Sequence, residues 1–236
     1  MAVNKSRLDR FLASRTSYKR GDVRLLIAQQ KILVDGFPAL AANQVIDRFS
    51  IIECDGEVLQ DRRPIYLMMN KPVGYVSATK DSIHPTVIDL LTEPYGDMHI
   101  AGRLDLNSTG LLLITNDGEW SSKIASPDRK VPKRYKVDLA KPLSEEYVPA
   151  FKAGMYFPYE DITTKPADIE IIDTHSALVT LQEGRYHQIK RMFGRFRNPV
   201  VGLKRLSIGD LDLDVSLSPG ESRELVEEEV ALFTSS

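Results

Sequence analysis

A polar loop set against an apolar strand is the first place in this chain where chemistry could be done. Gly102-Arg103-Leu104-Asp105-Leu106-Asn107-Ser108-Thr109-Gly110 runs straight into residues 111–115, Leu-Leu-Leu-Ile-Thr. Loops held by rigid elements are favoured places for function. The same spacing fits a turn in which Asp105 accepts backbone N–H bonds and pairs with Arg103. A second constellation is Gly184-Arg185-Tyr186-His187-Gln188-Ile189-Lys190-Arg191-Met192-Phe193. At about 100° per residue, Ile189, Met192, Phe193 and Phe196 share one helix face. Arg191 and Arg195 point away from it, and Lys190 sits at its edge. An edge lysine can pack its stem and still reach a partly buried acid, although a plain surface helix would look alike. The third is Lys133-Arg134-Tyr135-Lys136-Val137, a strand with an aromatic among cations. That pattern suits base stacking interleaved with phosphate binding, and equally a tyrosine on a half-buried strand.

Other chemistries find little support. His84, His99, His175 and His187 lack metal-ligand spacing, and Cys54 is the single cysteine, so no cysteine-rich metal cluster or intrachain disulfide is expected. There is no glycine-rich phosphate loop and no Gly-x-Ser-x-Gly nucleophile setting. A cofactor-free carboxylate enzyme and a simple RNA-binding protein are the readings left.

These residues need elements to hold them. The chain has 236 residues, 42% hydrophobic and 27% charged, which suits one medium domain or a small one joined to a larger. Residues 1–34 carry eight Lys or Arg against Asp9 and Asp22, a local charge of +6. Residues 184–205 carry seven and no acid, and residues 210–236 carry eight acids against Arg223 alone. The net charge of −2 hides this, and local field steers a polyanion more than the total does. No apolar run approaches the roughly 20 residues of a membrane span. The first ten residues show no signal-peptide core, so a reducing cytoplasm is expected.

Leu8, Phe11 and Leu12, then Val23, Leu26 and Ile27, recur at helical spacing and predict two short helices. A strand at 32–34, a turn at Asp35-Gly36 and a strand near 49–54 complete a small α+β module, residues 1–58. Polar residues from 57 to Pro64 read as a connection, with 59–64 as the linker proper. The second domain, 65–236, mixes strands at 66–69, 111–115, 134–139, 169–172 and 177–181 with short helices near 86–91, 119–125, 144 onward and 187–196.

At this point the residues resemble a known family. The 102–113 segment together with Thr115-Asn116-Asp117-Gly118 resembles the catalytic motif of the RsuA branch of pseudouridine synthases. Tyr66-Leu67-Met68-Met69-Asn70-Lys71-Pro72-Val73-Gly74 resembles that branch's first core strand and loop, and the 184–193 segment its late basic motif. The first module, from Arg7-Leu8-Asp9-Arg10-Phe11 to Val34-Asp35-Gly36, resembles an S4-type RNA-binding domain. Four motifs in order cover nearly the whole chain. The implied fold is α+β: a small S4-like domain of two helices and short strands, linked to a mixed, mainly antiparallel sheet.

The implied activity is conversion of a uridine to pseudouridine, needing neither cofactor nor metal. His84-Pro85-Thr86-Val87, and Ser218-Pro219-Gly220-Glu221 ahead of the acidic run 227–229, are most similar to members acting on small-subunit rRNA. That implies a partner in 16S rRNA or a small-subunit assembly intermediate, with uridine 516 as target and the protein a monomer. Many other pseudouridine synthases place Arg where Lys190 stands, a bidentate fork in place of a point charge. The base must leave its stack to react. The resemblance implies Asp105 as the essential carboxylate, attacking sugar or base or removing a ribose proton. It also implies Lys190 as the ion partner of Asp105, Tyr135 stacked on the uracil, and Arg103 at phosphate or in the gap left by the flipped base. Lys71, Arg185, His187, Gln188 and Arg191 are expected RNA contacts around the pocket. Arg7, Arg10, Arg15, Lys19, Arg20 and Arg24 are expected to grip phosphates. A 23S rRNA target, or a non-catalytic S4-type assembly factor, are the alternatives.

Overall fold

Where apolar residues recur every three or four positions near the start, the chain is helical. The computed structural model describes residues 5–93 and 95–234, so the first four residues of the stretch read for a leader lie outside the described residues. Helices α1 (Leu8–Arg15) and α2 (Arg20–Ala28) bury Leu8, Leu12, Val23 and Leu26. The short strands are β1 (Ser6–Arg7), β2 (Ile32–Val34), β3 (Phe37–Pro38), β4 (Val45–Ile46), β5 (Ile52–Cys54) and β6 (Glu57–Gln60). Strand β1 pairs with β4, and the other four form a sheet in the order β3-β2-β5-β6. Ile32, Val34, Ile52 and Cys54 face the helices' apolar residues in one core. The chain divides into two units between residues 64 and 65. Residues 57–60 are not a linker. They pair with β5, and Leu59 packs on the first core, so the first unit runs past residue 58.

The second unit comprises β7 (Tyr66–Lys71), β8 (His99–Ala101), β9 (Thr109–Thr115), α3 (Gly118–Ala125), β10 (Lys133–Leu139), α4 (Tyr147–Ala153), β11 (Tyr156–Phe157), β12 (Ile162–Thr163), β13 (Asp168–Ile171), β14 (Ser176–Leu181), α5 (Gln188–Gly194), β15 (Val200–Ile208), β16 (Leu211–Asp212), β17 (Ser222–Glu224) and α6 (Glu227–Ala231). Nine strands form one sheet, ordered β13-β14-β10-β15-β9-β7-β17, with β16 on β15 and β8 on β9. All its pairings are antiparallel except β9 with β15. The sheet is therefore mixed and mainly antiparallel.

The run Leu111 to Ile114 is apolar at every position because both sheet faces are covered. Leu112 and Ile114 join a core with Phe151 of α4 and Met192 and Phe193 of α5. Leu111 and Leu113 join the opposite core with Trp120, Ile124 and Phe233. Segment 86–91 is a single turn of 3-10 helix, Val87–Leu90, capped reciprocally by Thr86 and Asp89. The 218–229 segment closes the sheet edge. There β17 pairs with β7, and Arg223 bonds Asp214 and Glu229. No described helix is long and apolar enough to cross a membrane.

Candidate active site

Asp105 lies in the loop between β8 and β9, and that loop has little freedom. Arg205 of β15, 1% exposed, donates to the carbonyls of Gly102 (2.6 Å), Arg103 (3.5 Å) and Leu111 (2.8 Å). The Ser77 hydroxyl donates to Leu104 O and accepts from Leu104 N, at 2.8 and 3.0 Å. Ser108 N donates to Asp105 O, and Gly74 N to Leu106 O, both at 3.0 Å. Lys71, fully buried, donates from Nζ to Pro72 O (2.9 Å), Leu106 O (3.3 Å) and Ser108 O (2.8 Å). Every carbonyl from Gly102 to Leu106 is thus engaged. Burial pushes the Lys71 ammonium down to about 8, with Asp105 opposing the shift and Arg205 adding to it.

Lys71 was expected at the RNA surface, and the structure corrects this. β7 runs two residues beyond the strand read from sequence, so Asn70 and Lys71 are buried in the fold and Lys71 ties down the loop that carries Asp105. Arg205 and Ser77 were not singled out at all. Lys204 and Arg205 belong to the basic run 184–205, and nothing in the residue types separates the exposed one from the buried one.

The Asp105 carboxylate is 31% exposed. Lys190 Nζ donates to its Oδ2 at 3.3 Å, placing the lysine where the edge of its helix suggested. His187 Nε2 approaches the same oxygen to 3.2 Å, a contact not anticipated. Asp105, Arg103, Tyr135, Lys190, Arg185, His187 and Gln188 all line one cavity of about 90 Å³, together with Leu104, Ser108, Leu181, Gly184, Ile189 and Leu203. Asp105 also borders a wider groove of about 650 Å³, walled by Val76, Ser77, Asn107, Arg103 and Tyr186 among others. Tyr135 is 8% exposed in the cavity wall.

The strand around Tyr135 splits the expected aromatic and cationic pattern in two. Lys133, Tyr135 and Val137 are buried, whereas Arg134 and Lys136 are exposed, as the two-residue period of a strand requires. Arg134 approaches Glu170 to 3.8 Å and Lys136 approaches Asp138 to 3.4 Å. Lys133 donates to Val131 O, and burial, reinforced by Arg205, pushes it down to about 8.

Two more expected RNA contacts have other partners. Gln188 is 3% exposed. Its amide donates to Glu183 (2.7 Å) and accepts from Arg185 N (3.2 Å), bracing the turn before α5. Arg191 bonds Glu160 at 2.6 Å and lies 3.8 Å above the Phe157 ring, so it clasps the β11–β12 hairpin and does not line the cavity. Arg185 is exposed and bonds Glu183 at 2.9 Å.

In the first unit, Arg7, Arg20 and Arg24 line one hollow with Asp9 and Asn43. Arg7 is held there by Asp9, through Nη2 at 2.7 Å and Nε at 3.1 Å. Arg15 borders a different hollow with Tyr18 and Asp55, and Arg10 and Lys19 are exposed outside both. Among the described residues, no three His, Cys, Asp or Glu side chains gather in a way that could hold a metal ion.

The profile of the family described as RNA pseudouridylate synthase matches residues 65–194. A ribosomal small subunit pseudouridine synthase A from Pseudomonas aeruginosa is 47% identical, over 95% of this chain and 98% of the relative. The protein of that name from Escherichia coli K12 is 41% identical, over 95% of this chain and 98% of its own. A solved crystal structure of pseudouridylate synthase matches with a TM-score of 0.71 at 39% identity, covering 97% of this chain and 99% of the other. With a profile spanning over half of the chain and relatives spanning nearly all of it, the chain belongs to the RNA pseudouridylate synthase family.

Proposed function

We propose that this protein isomerises one uridine of small-subunit rRNA to pseudouridine, with uridine 516 of 16S rRNA as the target and Asp105 as the reacting carboxylate. The observation that carries the reading is the place of Asp105. It stands on a loop whose carbonyls from Gly102 to Leu106 are all bonded, beside Lys190, where the small cavity meets the wider groove. The names of the small-subunit relatives support the substrate.

The reaction breaks the N1–C1′ bond, turns the uracil, and forms a C5–C1′ bond. The proton on C5 is lost and N1 gains one, so no redox partner is required. A cavity of about 90 Å³ is well below the several hundred Å³ of ordinary ligand pockets. It takes part of a nucleotide, with sugar and phosphate in the groove outside. The base therefore enters flipped out of its stack. Tyr135 offers its ring to the uracil, and exposed Arg103 meets the backbone or the gap left behind. Lys190 balances the carboxylate charge. In the first unit, Arg20 and Arg24 supply phosphate contacts that give affinity and register.

Pseudouridine mapping on 16S and 23S rRNA, from assembly particles incubated with wild type or Asp105→Asn, tests this. The expected result is one new 16S site, absent with the variant. A 23S site would keep the chemistry and overturn the target. No site in either RNA, with binding intact, would turn the reading to a non-catalytic assembly factor, and a variant that still forms pseudouridine removes Asp105 from the chemistry.

A further inference from the structure

The contact between His187 and Asp105 has several unusual supports. His187 stands at the N-terminus of α5 with φ 49° and ψ 30°, in the left-handed region, and its side chain makes no cap bond to its own helix. Non-glycine residues adopt that conformation uncommonly, histidine more readily than most. Here it turns the imidazole back toward the loop, with Nε2 at 3.2 Å from Asp105 Oδ2. The turn is braced by buried Gln188, bonded to Glu183 and to Arg185 N. Tyr186 lies flat on the imidazole, with ring centroids 3.9 Å apart and 19° between planes. A tyrosine 75% exposed to solvent gains little from burial there. Its ring restricts how the imidazole can turn.

The carboxylate torsion of an aspartate is soft and nearly two-fold, so its oxygens exchange readily unless something holds one. Lys190 supplies charge from a flexible stem whose ammonium imposes little direction. His187, on a fixed turn and under a stacked ring, adds a second close contact on Asp105 Oδ2, at 3.2 Å, from a group that cannot swing away as the lysine stem can. Lys190 hydrogen-bonds Oδ2 and His187 Nε2 lies 3.2 Å from it, and among the described residues no hydrogen bond reaches Oδ1. We propose that His187, backed by Tyr186, is a positioning residue that holds Asp105 by Oδ2 and leaves Oδ1 as the oxygen that reacts. This rests on Asp105 being the reacting carboxylate. It differs from a phosphate-contacting His187, which would govern RNA affinity.

The experiment is steady-state and single-turnover kinetics on the RNA substrate for the full chain, with His187→Asn, Tyr186→Leu, Tyr186→Phe, the double variant His187→Asn/Tyr186→Leu, and Asp105→Asn. Asparagine tolerates the left-handed turn, and its shorter amide does not reach Oδ2, so the fold is kept while the contact goes. His187→Asn is expected to lower kcat about tenfold to a hundredfold with KM and the salt dependence of binding near wild type. Tyr186→Leu should lose part of that, Tyr186→Phe should recover most of what Tyr186→Leu loses, and the double variant should fall no further than His187→Asn alone. A His187→Asn enzyme with wild-type kcat, with or without a raised KM, overturns the inference. So does a Tyr186→Leu effect undiminished in the His187→Asn background. Asp105→Asn separates the two levels: if it still turns over, the reading of Asp105 fails, and if it is dead while His187→Asn runs at full kcat, only the role of His187 fails.

Discussion

Three buried cations, Lys71, Lys133 and Arg205, stand near the loop that carries Asp105 and the strand that carries Tyr135, with exposures of 0%, 9% and 1%. Among the described residues none of them bonds a carboxylate, and each spends its protons on backbone carbonyls. Burying an unpaired charge is expensive, so these positions hold cations for what the cations do. Lys71 has three carbonyls to hold and Lys133 has one, which separates their consequences. Lys71→Met removes the tie on Leu106 and Ser108. A displacement of about 1 Å at a reacting group is worth about a hundredfold in rate. The expected outcome is a kcat drop of that order with RNA affinity nearly unchanged, read by single-turnover kinetics. Lys133→Met should instead stabilise the protein at pH 7. Both groups sit near 8 in the fold against an ordinary 10.5. Between those values the unfolded chain binds more protons, so stability rises with pH there and the penalty is fully present below about 8. At 1.36 kcal/mol per unit the ceiling is about 3 kcal/mol for Lys133. Urea unfolding at several pH values should show Lys133→Met ahead at pH 7 and its advantage fading as pH approaches 10.5. A constant difference would mean that Lys133 is not penalised by burial.

At the scale of elements, the site depends on the meeting of β9 and β15, the single parallel strand pairing of the sheet among the described residues. Gly110 has φ +96°, and a Cβ there would stand 2.2 Å from Arg205 O. Gly110→Ala should therefore force the strands apart and release the Arg205 bonds to the loop. Overpacking and left-handed strain together amount to about 3 kcal/mol or more, a loss that thermal unfolding would register alongside inactivity. Stability within about 0.5 kcal/mol of wild type, the usual range for harmless changes, would show that the junction yields. Much of this architecture was legible beforehand. Helical spacing revealed α1 and α2, the apolar run revealed β9, and the edge position of Lys190 foretold its reach. Strand β15 was not legible, although it carries Arg205. Gly202, Lys204 and Arg205 interrupt its apolar pattern, and the register shift against β10 between Arg134 and Tyr135 breaks its alternation. Charge types alone do not say which cations a sheet will bury. Lys71, Lys133 and Arg205 read as surface, and Arg191 read as free although Glu160 and Phe157 hold it.

For the whole molecule the question is what each unit contributes to holding RNA. The first unit has its own core of Leu8, Leu12, Val23, Leu26, Ile32 and Ile52, and the second has two, one on each sheet face. A cut after residue 58 would split β6 and expose Leu59, which packs on the first core. A cut after residue 64 leaves both units whole. The basic block of the first unit also counts for less than its formal charge, because Asp9 holds Arg7. Arg10, Arg20 and Arg24 are exposed and free to meet phosphate. Each phosphate contact contributes about 0.7 to 0.9 to the slope of log affinity against log salt. A protein of residues 65–236 should thus bind RNA more weakly, with a slope shallower by about two to three. At saturating RNA its single-turnover rate should stay near that of the full chain, since every residue lining the cavity of Asp105 belongs to the second unit. Filter binding over a salt series, with single-turnover kinetics on the same samples, separates the two effects. An unchanged slope would assign docking to the second unit alone. A collapsed rate at saturating RNA would mean that the first unit helps to bring the target base to Asp105.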